Sequence, residues 1–271
     1  MLGLKGPLIF CDMWLPGLDE VPGTVSVWYA GVGAPGPVYA RAEHIPHYAA
    51  STMKIAVLAA AQRHDPATPV PVTNRFPSAA PGAHEFVLSQ ARDDDPAVWA
   101  RLGRTAPLGW LAERMIVSSS NLATNLVLGQ VGLAAADAVW RQVGARHSRI
   151  GRGIEDAPAQ AAGITNEVTA YDLARLLEAI ALGRLAGAER MLAILAATGH
   201  RDDLAAGLPA GVRLAHKSGW VTGVRHGAGL VYPADRPPYT LVVCSSTTLP
   251  DAAARALLAR IAAASWEVLG E

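Results

Sequence analysis

Ser51 and Lys54 stand three residues apart in AASTMKIAVLAAA (Ala49 to Ala61), a stretch otherwise made almost wholly of apolar residues. At that spacing two side chains share one face of a helix. An ordinary serine is a weak nucleophile, and a lysine kept neutral by burial or by a neighbouring cation is a base able to take its proton. The N–H groups at the start of the helix can hold negative charge developing on a substrate oxygen. Two further groups could complete such a site: Ser119-Ser120-Asn121 at the start of an expected helix, and Lys217-Ser218-Gly219 on an expected strand. A lone S-x-x-K is weak, because a capping serine and a snorkelling lysine give the same pattern. Three such groups in order are specific.

The elements that must position these residues can be read from periodicity and punctuation. Thr24–Gly33 and Pro37–Ile45 alternate around Ala34-Pro35-Gly36, a hairpin signal, and a helix opens at Ser51. Ala67 to about Phe86 is rich in Pro, Ala and Gly, which predicts loops with one short hairpin. Helical segments follow at PAVWARLG, APLGWLAERMIV and SNLATNLVLGQVG, with apolar residues three and four apart. Gly151–Val168 reads as a loop, and helices are expected at TAYDLARLLEAIALGRL and GAERMLAILAATG. VRLAHKSGW, GAGLVYP and YTLVVCSST read as strands, with a turn at PADRPP and a final helix from Asp251 to Leu269.

Strands near both ends with helices between them predict an α+β fold: a three-layer α/β/α arrangement around an antiparallel sheet built from both termini, with an inserted helical region. The expected division is residues 1–60 plus 169–271 as the α/β domain and 61–168 as the all-helical one, with a site loop at 151–168.

S-x-x-K, then S-x-N, then K-[ST]-G, in this order, is the signature of class A β-lactamases and penicillin-binding proteins, and the sequence resembles that superfamily, class A most closely, over most of its length. The resemblance implies the β-lactamase/transpeptidase-like fold and a role for each matching position. Ser51 would attack a carbonyl and become acylated, with Lys54 accepting its proton. Ser119 would relay a proton to the leaving nitrogen beside Lys217, whose charge attracts a substrate carboxylate. Asn121 would orient the acyl side chain and Lys54, and Ser218 would hydrogen-bond the carboxylate. The N–H groups of Ser51 and Trp220 would form the oxyanion hole, and Asn125 would support the neighbouring loop.

Departures from the class A pattern bear on the substrate. Class A enzymes carry a loop glutamate that activates the deacylating water, with an asparagine four residues on; here the acids are Glu155 and Asp156, and Ala159 stands four after Glu155. Glu155 is either that base or a solvated loop acid. Ser120 replaces an aspartate whose buried charge braces the loop, and Trp220 replaces a small residue, narrowing the cleft against bulky β-lactams. Arg225 is the candidate anion anchor, with a surface ion pair as the alternative.

The favoured function is a serine hydrolase that cleaves an amide or lactam through an acyl-enzyme, in a β-lactamase-like or D,D-peptidase-like manner. A biosynthetic acyltransferase, esterase or thioesterase using the same acyl-enzyme, and an inactive binding protein on the same fold, are the alternatives. Intact polar residues at Ser51, Lys54, Ser119, Asn121 and Lys217 argue against the last.

The 271 residues include 23 Lys+Arg and 23 Asp+Glu, so net charge is zero and no basic stripe marks a nucleic-acid binder. A small-molecule or peptide-like acyl substrate is expected, with no cofactor, no metal and a monomeric state. Hydrophobic residues make up 51% of the chain, yet no run reaches the roughly 20 residues of a membrane span. MLGLKGPLIFCDMWLPG lacks a basic start and a small-residue cleavage site, so the sequence reads as cytoplasmic unless a leader was removed. Cys11 and Cys244 are expected to be buried free thiols. His44, His47, His64 and His84 lack metal spacing and are expected to be solvated or capping. Most tryptophans should fill the core, His216 should point away from Lys217, and Asp93-Asp94-Asp95 reads as a helix cap at a solvated turn.

Overall fold

The computed structural model describes residues 15–268. Its frame is a five-stranded antiparallel sheet in the spatial order Arg213–Val221, Val224–Tyr232, Tyr239–Thr247, Gly23–Gly31 and Tyr39–Arg41. The strands come from both ends of the chain, as expected. The first hairpin is shorter than its pattern predicts, since only Tyr39–Arg41 of its second arm pairs with Gly23–Gly31.

Period-two alternation gives this sheet two apolar faces. Val25, Val27, Tyr29, Leu241 and Val243 bury against Leu257, Leu258 and Ile261 of the Asp251–Val268 helix. On the other face Ala215, Ala228, Leu230, Val242 and Cys244 join a core with Leu173, Leu176 and Leu177 of the Ala170–Ala181 helix. Each such leucine contributes about 1.5–3 kcal/mol relative to an exposed one, so the sheet is stabilised from both sides and three layers result. Cys244 is a buried free thiol, and burial pushes its pKa up; Cys11 lies outside the described residues.

The Ala170–Ala181 helix starts where the sequence supplies a cap. Thr169 Oγ1 accepts a hydrogen bond from Asp172 N at 3.1 Å. It ends earlier than its apolar pattern, because Gly183 turns the chain in the left-handed region at φ 67°.

The Lys54–Ala61 helix has all eight residues buried, as a helix apolar on every side must be. It shares the larger core with the Leu108–Val117 and Asn121–Val131 helices. A helix over Leu133–Gln142 packs there too through Ala136, Val139 and Trp140. That segment was not among the expected helices: it begins just after Gly132 closes its predecessor, and its alanines mark only a narrow apolar stripe.

Short paired segments edge the helical part, including the hairpin of Arg75–Pro77 with Glu85–Val87 inside the region expected to hold one. The Gly151–Val168 loop contains a short helix, Ala157–Ala161, and a strand, Asn166–Val168, which pairs with His47–Tyr48 and Arg149–Ile150. Among the described residues, no single helix is long and apolar enough to cross a membrane.

Candidate active site

Ser51 lies in a 3-10 turn, Ala50–Met53, that runs directly into the Lys54–Ala61 helix, so the regular helix begins at Lys54 and not at Ser51. In a 3-10 turn residues three apart eclipse one another, which aligns Ser51 with Lys54. The edge strand Arg213–Val221 presses against this turn. A Cβ on Gly219 would come within 3.0 Å of Ser51 N and 3.1 Å of Thr52 N, so any larger residue would push this turn away by a few tenths of an ångström. Among the described residues that strand pairs with one neighbour, so alternate N–H and C=O groups on its outer edge have no strand partner.

A chain of hydrogen bonds joins the helical residues. Lys54 Nζ donates to Ser119 O at 2.6 Å, to Asn121 Oδ1 at 3.0 Å and to Ser119 Oγ at 3.2 Å. Ser119 Oγ donates to Ser51 Oγ at 3.2 Å. The connected route from Lys54 to Ser51 therefore runs through Ser119, which sits in the left-handed region at φ 57°. Hydroxyl hydrogens rotate, so the same chain can carry a proton either way.

Both lysines are fully buried. Burial, reinforced by the positive charge of Lys217, drives the Lys54 pKa well below its ordinary value. Burial also lowers Lys217, to about 8, against the opposing pull of Asp203 and Asp94. Lys217 Nζ donates to Ser218 O at 2.9 Å. When neutral, Lys54 Nζ donates to Ser119 O and Asn121 Oδ1 and turns its lone pair to the Ser119 hydroxyl, ready to receive a proton, and Lys217 keeps a cation nearby below its own pKa.

Glu155 and Asp156 have separate tasks. Asp156 is fully buried, caps the Ala157–Ala161 helix, and accepts from Ser78 Oγ at 2.7 Å and Ala79 N at 2.8 Å. Glu155 Oε1 accepts from Asn121 Nδ2 at 2.9 Å. Partial burial raises the Glu155 pKa, and the Asn121 hydrogen bond opposes the rise. The Glu155 backbone adopts φ 62°, a left-handed conformation that costs a non-glycine residue about 1–3 kcal/mol.

The loop is held there from both sides. Asn125 donates to Ile154 O at 2.9 Å and accepts from Ile154 N at 2.8 Å. Asn166 Oδ1 receives Gly151 N and Arg152 N, while the buried Arg152 donates to Ile164 O, Gly153 O and Tyr48 Oη.

Several expectations need correction. Arg225 is not a free anchor: it is only 4% exposed, and its guanidinium is held by Asp251 at 3.0 Å and Asp202 at 3.5 Å. It faces Trp220 across the ladder, an odd number of residues from Lys217, and so lies on the other side of the sheet. The Asp93–Asp95 run does supply a helix cap, but only Asp94 of the three is exposed. Asp95 is fully buried, caps the Pro96–Trp99 helix and takes two hydrogen bonds from Arg114.

His47 is buried, not solvated: it hydrogen-bonds Ser26 and Ser246, and burial takes its pKa down to about 4. Trp220 is 56% exposed at the rim, whereas Trp99 and Trp140 are core. His216 bonds to His200 O, off the lysine cluster. Among the described residues no group of His, Cys, Asp and Glu could hold a metal ion.

The Ser51 hydroxyl, the buried amines and the loop carboxylate thus meet where the sheet edge joins the helical part. The chain matches the Beta-lactamase enzyme family over residues 16–269, and it belongs to that family. A β-lactamase of Streptomyces lavendulae is 31% identical over 174 residues, which span 60% of this chain and 57% of that protein. A β-lactamase from Xanthomonas campestris superposes with a TM-score of 0.80 at 20% identity, covering 95% of this chain and 96% of the other. A PBP-A variant, solved as an acyl-enzyme complex with penicillin G, gives a TM-score of 0.77 at 21% identity over 99% of both chains. These two structural likenesses establish the β-lactamase/penicillin-binding fold.

Proposed function

We propose that the protein is a serine hydrolase that opens a lactam or amide through an acyl-enzyme on Ser51. The observation that carries this reading is the unbroken hydrogen-bonded chain from Ser51 through Ser119, Lys54 and Asn121 to Glu155. Membership of the β-lactamase family supports the same reaction class.

Ser51 Oγ attacks the carbonyl carbon while its proton passes through Ser119 to neutral Lys54. The carbonyl oxygen becomes an oxyanion held by the N–H groups of Ser51 and Trp220. Collapse breaks the C–N bond, and the proton returns from Lys54 through Ser119 to the departing nitrogen. Glu155 then takes a proton from water, the hydroxide attacks the ester carbonyl, and Ser51 Oγ leaves and recovers that proton.

Lys217 and Ser218 hold a substrate carboxylate; Arg225, with its charge shared between two aspartates, contributes less. The substrate is therefore a small acyl compound bearing an anion beside the scissile nitrogen.

A fluorescent penicillin tests the reaction. The wild-type chain is labelled and Ser51→Ala is not; equal labelling of both overturns the reading. Because Lys217 is charged below about pH 8 and neutral above it, kcat/KM for a carboxylate-bearing substrate falls as pH rises past that value. A profile still flat well above it, measured on a stable substrate, would show that this ammonium does not bind the anion.

The Trp220 side chain shares the Arg225 face of the strand, opposite Lys217 and Gly219, so its backbone N–H and not its exposed indole serves the site, against the expectation of a narrowed cleft. Trp220→Ala therefore leaves the ratio of kcat/KM for bulky over slim penams within about twofold, and a shift of about 10-fold or more would put the indole in the cleft.

A further inference from the structure

The turn carrying Ser119 and Asn121 is fastened by a carboxylate far away in sequence. Ser120 Oγ donates to Asp93 Oδ2 at 3.0 Å, and Leu122 N donates to the same oxygen at 2.7 Å. Asp95 N donates to Asp93 Oδ1 at 3.1 Å, and Asn121 Nδ2 donates to Arg92 O at 3.3 Å.

The other end of this strap is equally fixed. Asp95 receives Arg114 Nε and an Arg114 terminal nitrogen at 2.6 and 2.7 Å. Arg114 O in turn accepts from Ser118 N at 3.2 Å and Ser120 N at 3.3 Å. The segment 92–95 therefore grips the turn from the side-chain direction and from the backbone direction at once. Between the two grips sits Ser119, in its left-handed conformation, with Ser120 fully buried beneath it.

We propose that Asp93 is the positioning residue of this site: its carboxylate, bound to Ser120 Oγ and Leu122 N, holds Ser119 and Asn121 in register with Ser51 and Lys54. It supplies from a separate segment the charge that the turn itself, with a serine at its middle position, lacks. The inference rests on the acyl-enzyme reading for its kinetic consequence, though the grip itself does not.

The test is a relocation cycle of Asp93→Ser, Ser120→Asp and the double variant, read by the rate of Ser51 acylation with a fluorescent penicillin and by thermal unfolding. Asp93→Ser slows acylation about 10- to 100-fold, through kcat more than KM, since the turn carrying the relay drifts. Ser120→Asp alone sets two carboxylates face to face and lowers both the rate and Tm. The double variant, with carboxylate and hydroxyl exchanged, recovers most of both losses.

Wild-type acylation by Asp93→Ser overturns the proposal, as does a double variant as stable as wild type yet as slow as Asp93→Ser. If penicillin does not label the wild type, the acyl-enzyme reading fails instead. The unfolding cycle then decides alone: non-additive recovery in the double variant supports the grip, and additive Tm losses overturn it.

Discussion

Lys54→Met slows acylation of Ser51 by about 10²- to 10⁴-fold, the usual contribution of a positioned general base. Methionine keeps most of the buried stem, so the loss falls on the amine and not on packing. The amine is fully buried, and both its burial and Lys217 favour its neutral form. Its bonds to Ser119 and Asn121 place it one hydroxyl away from Ser51.

Lys54→Arg is the sharper control. A guanidinium supplies charge and donors but stays protonated, so it cannot accept the serine proton. If Lys54 serves as a base, Lys54→Arg is as slow as Lys54→Met in a stopped-flow acylation assay. An arginine variant with wild-type acylation would instead make Lys54 an electrostatic anchor.

Glu155→Gln separates the second half-reaction from the first. The amide occupies the same space and its oxygen still accepts the Asn121 hydrogen bond, but it cannot take a proton from water. Deacylation falls about 10²- to 10⁴-fold while acylation is little changed, so the acyl-enzyme accumulates as a burst. Asp156→Asn, by contrast, acts through stability: it weakens a buried cap that also receives Ser78 and Ala79, costing about 1–3 kcal/mol. Unchanged turnover in Glu155→Gln would mean that another group activates water. Faster discharge by added amines than by water would indicate acyl transfer.

What was legible in the sequence was local or periodic. Ser51 and Lys54 are three apart at a helix entry, Lys217 and Gly219 share one side of a strand, and alternating residues announce the sheet; each follows from the geometry of one element. What escaped depends on segments that meet only in the folded chain. Asp93 and Ser120 are brought together by tertiary packing, so an acidic run read as solvated becomes part of the site's frame. Asp251 closes on Arg225 from the start of the last helix, which weakens an anion anchor that the class A resemblance suggested. Order alone likewise leaves Glu155 either a base or a solvated loop acid. It is the Ser78–Ala79 segment that claims Asp156 and Asn121 that claims Glu155.

Acylation as proposed leaves an ester on Ser51. Glu155→Gln protein exposed to benzylpenicillin, a cephalosporin and an acyl-D,D-dipeptide thioester, then digested and read by tandem mass spectrometry, tests it most directly. The Ser51 peptide gains the whole mass of benzylpenicillin, whose ring nitrogen stays attached after the lactam opens. No adduct with any of the three compounds, or an adduct on a residue other than Ser51, would contradict it.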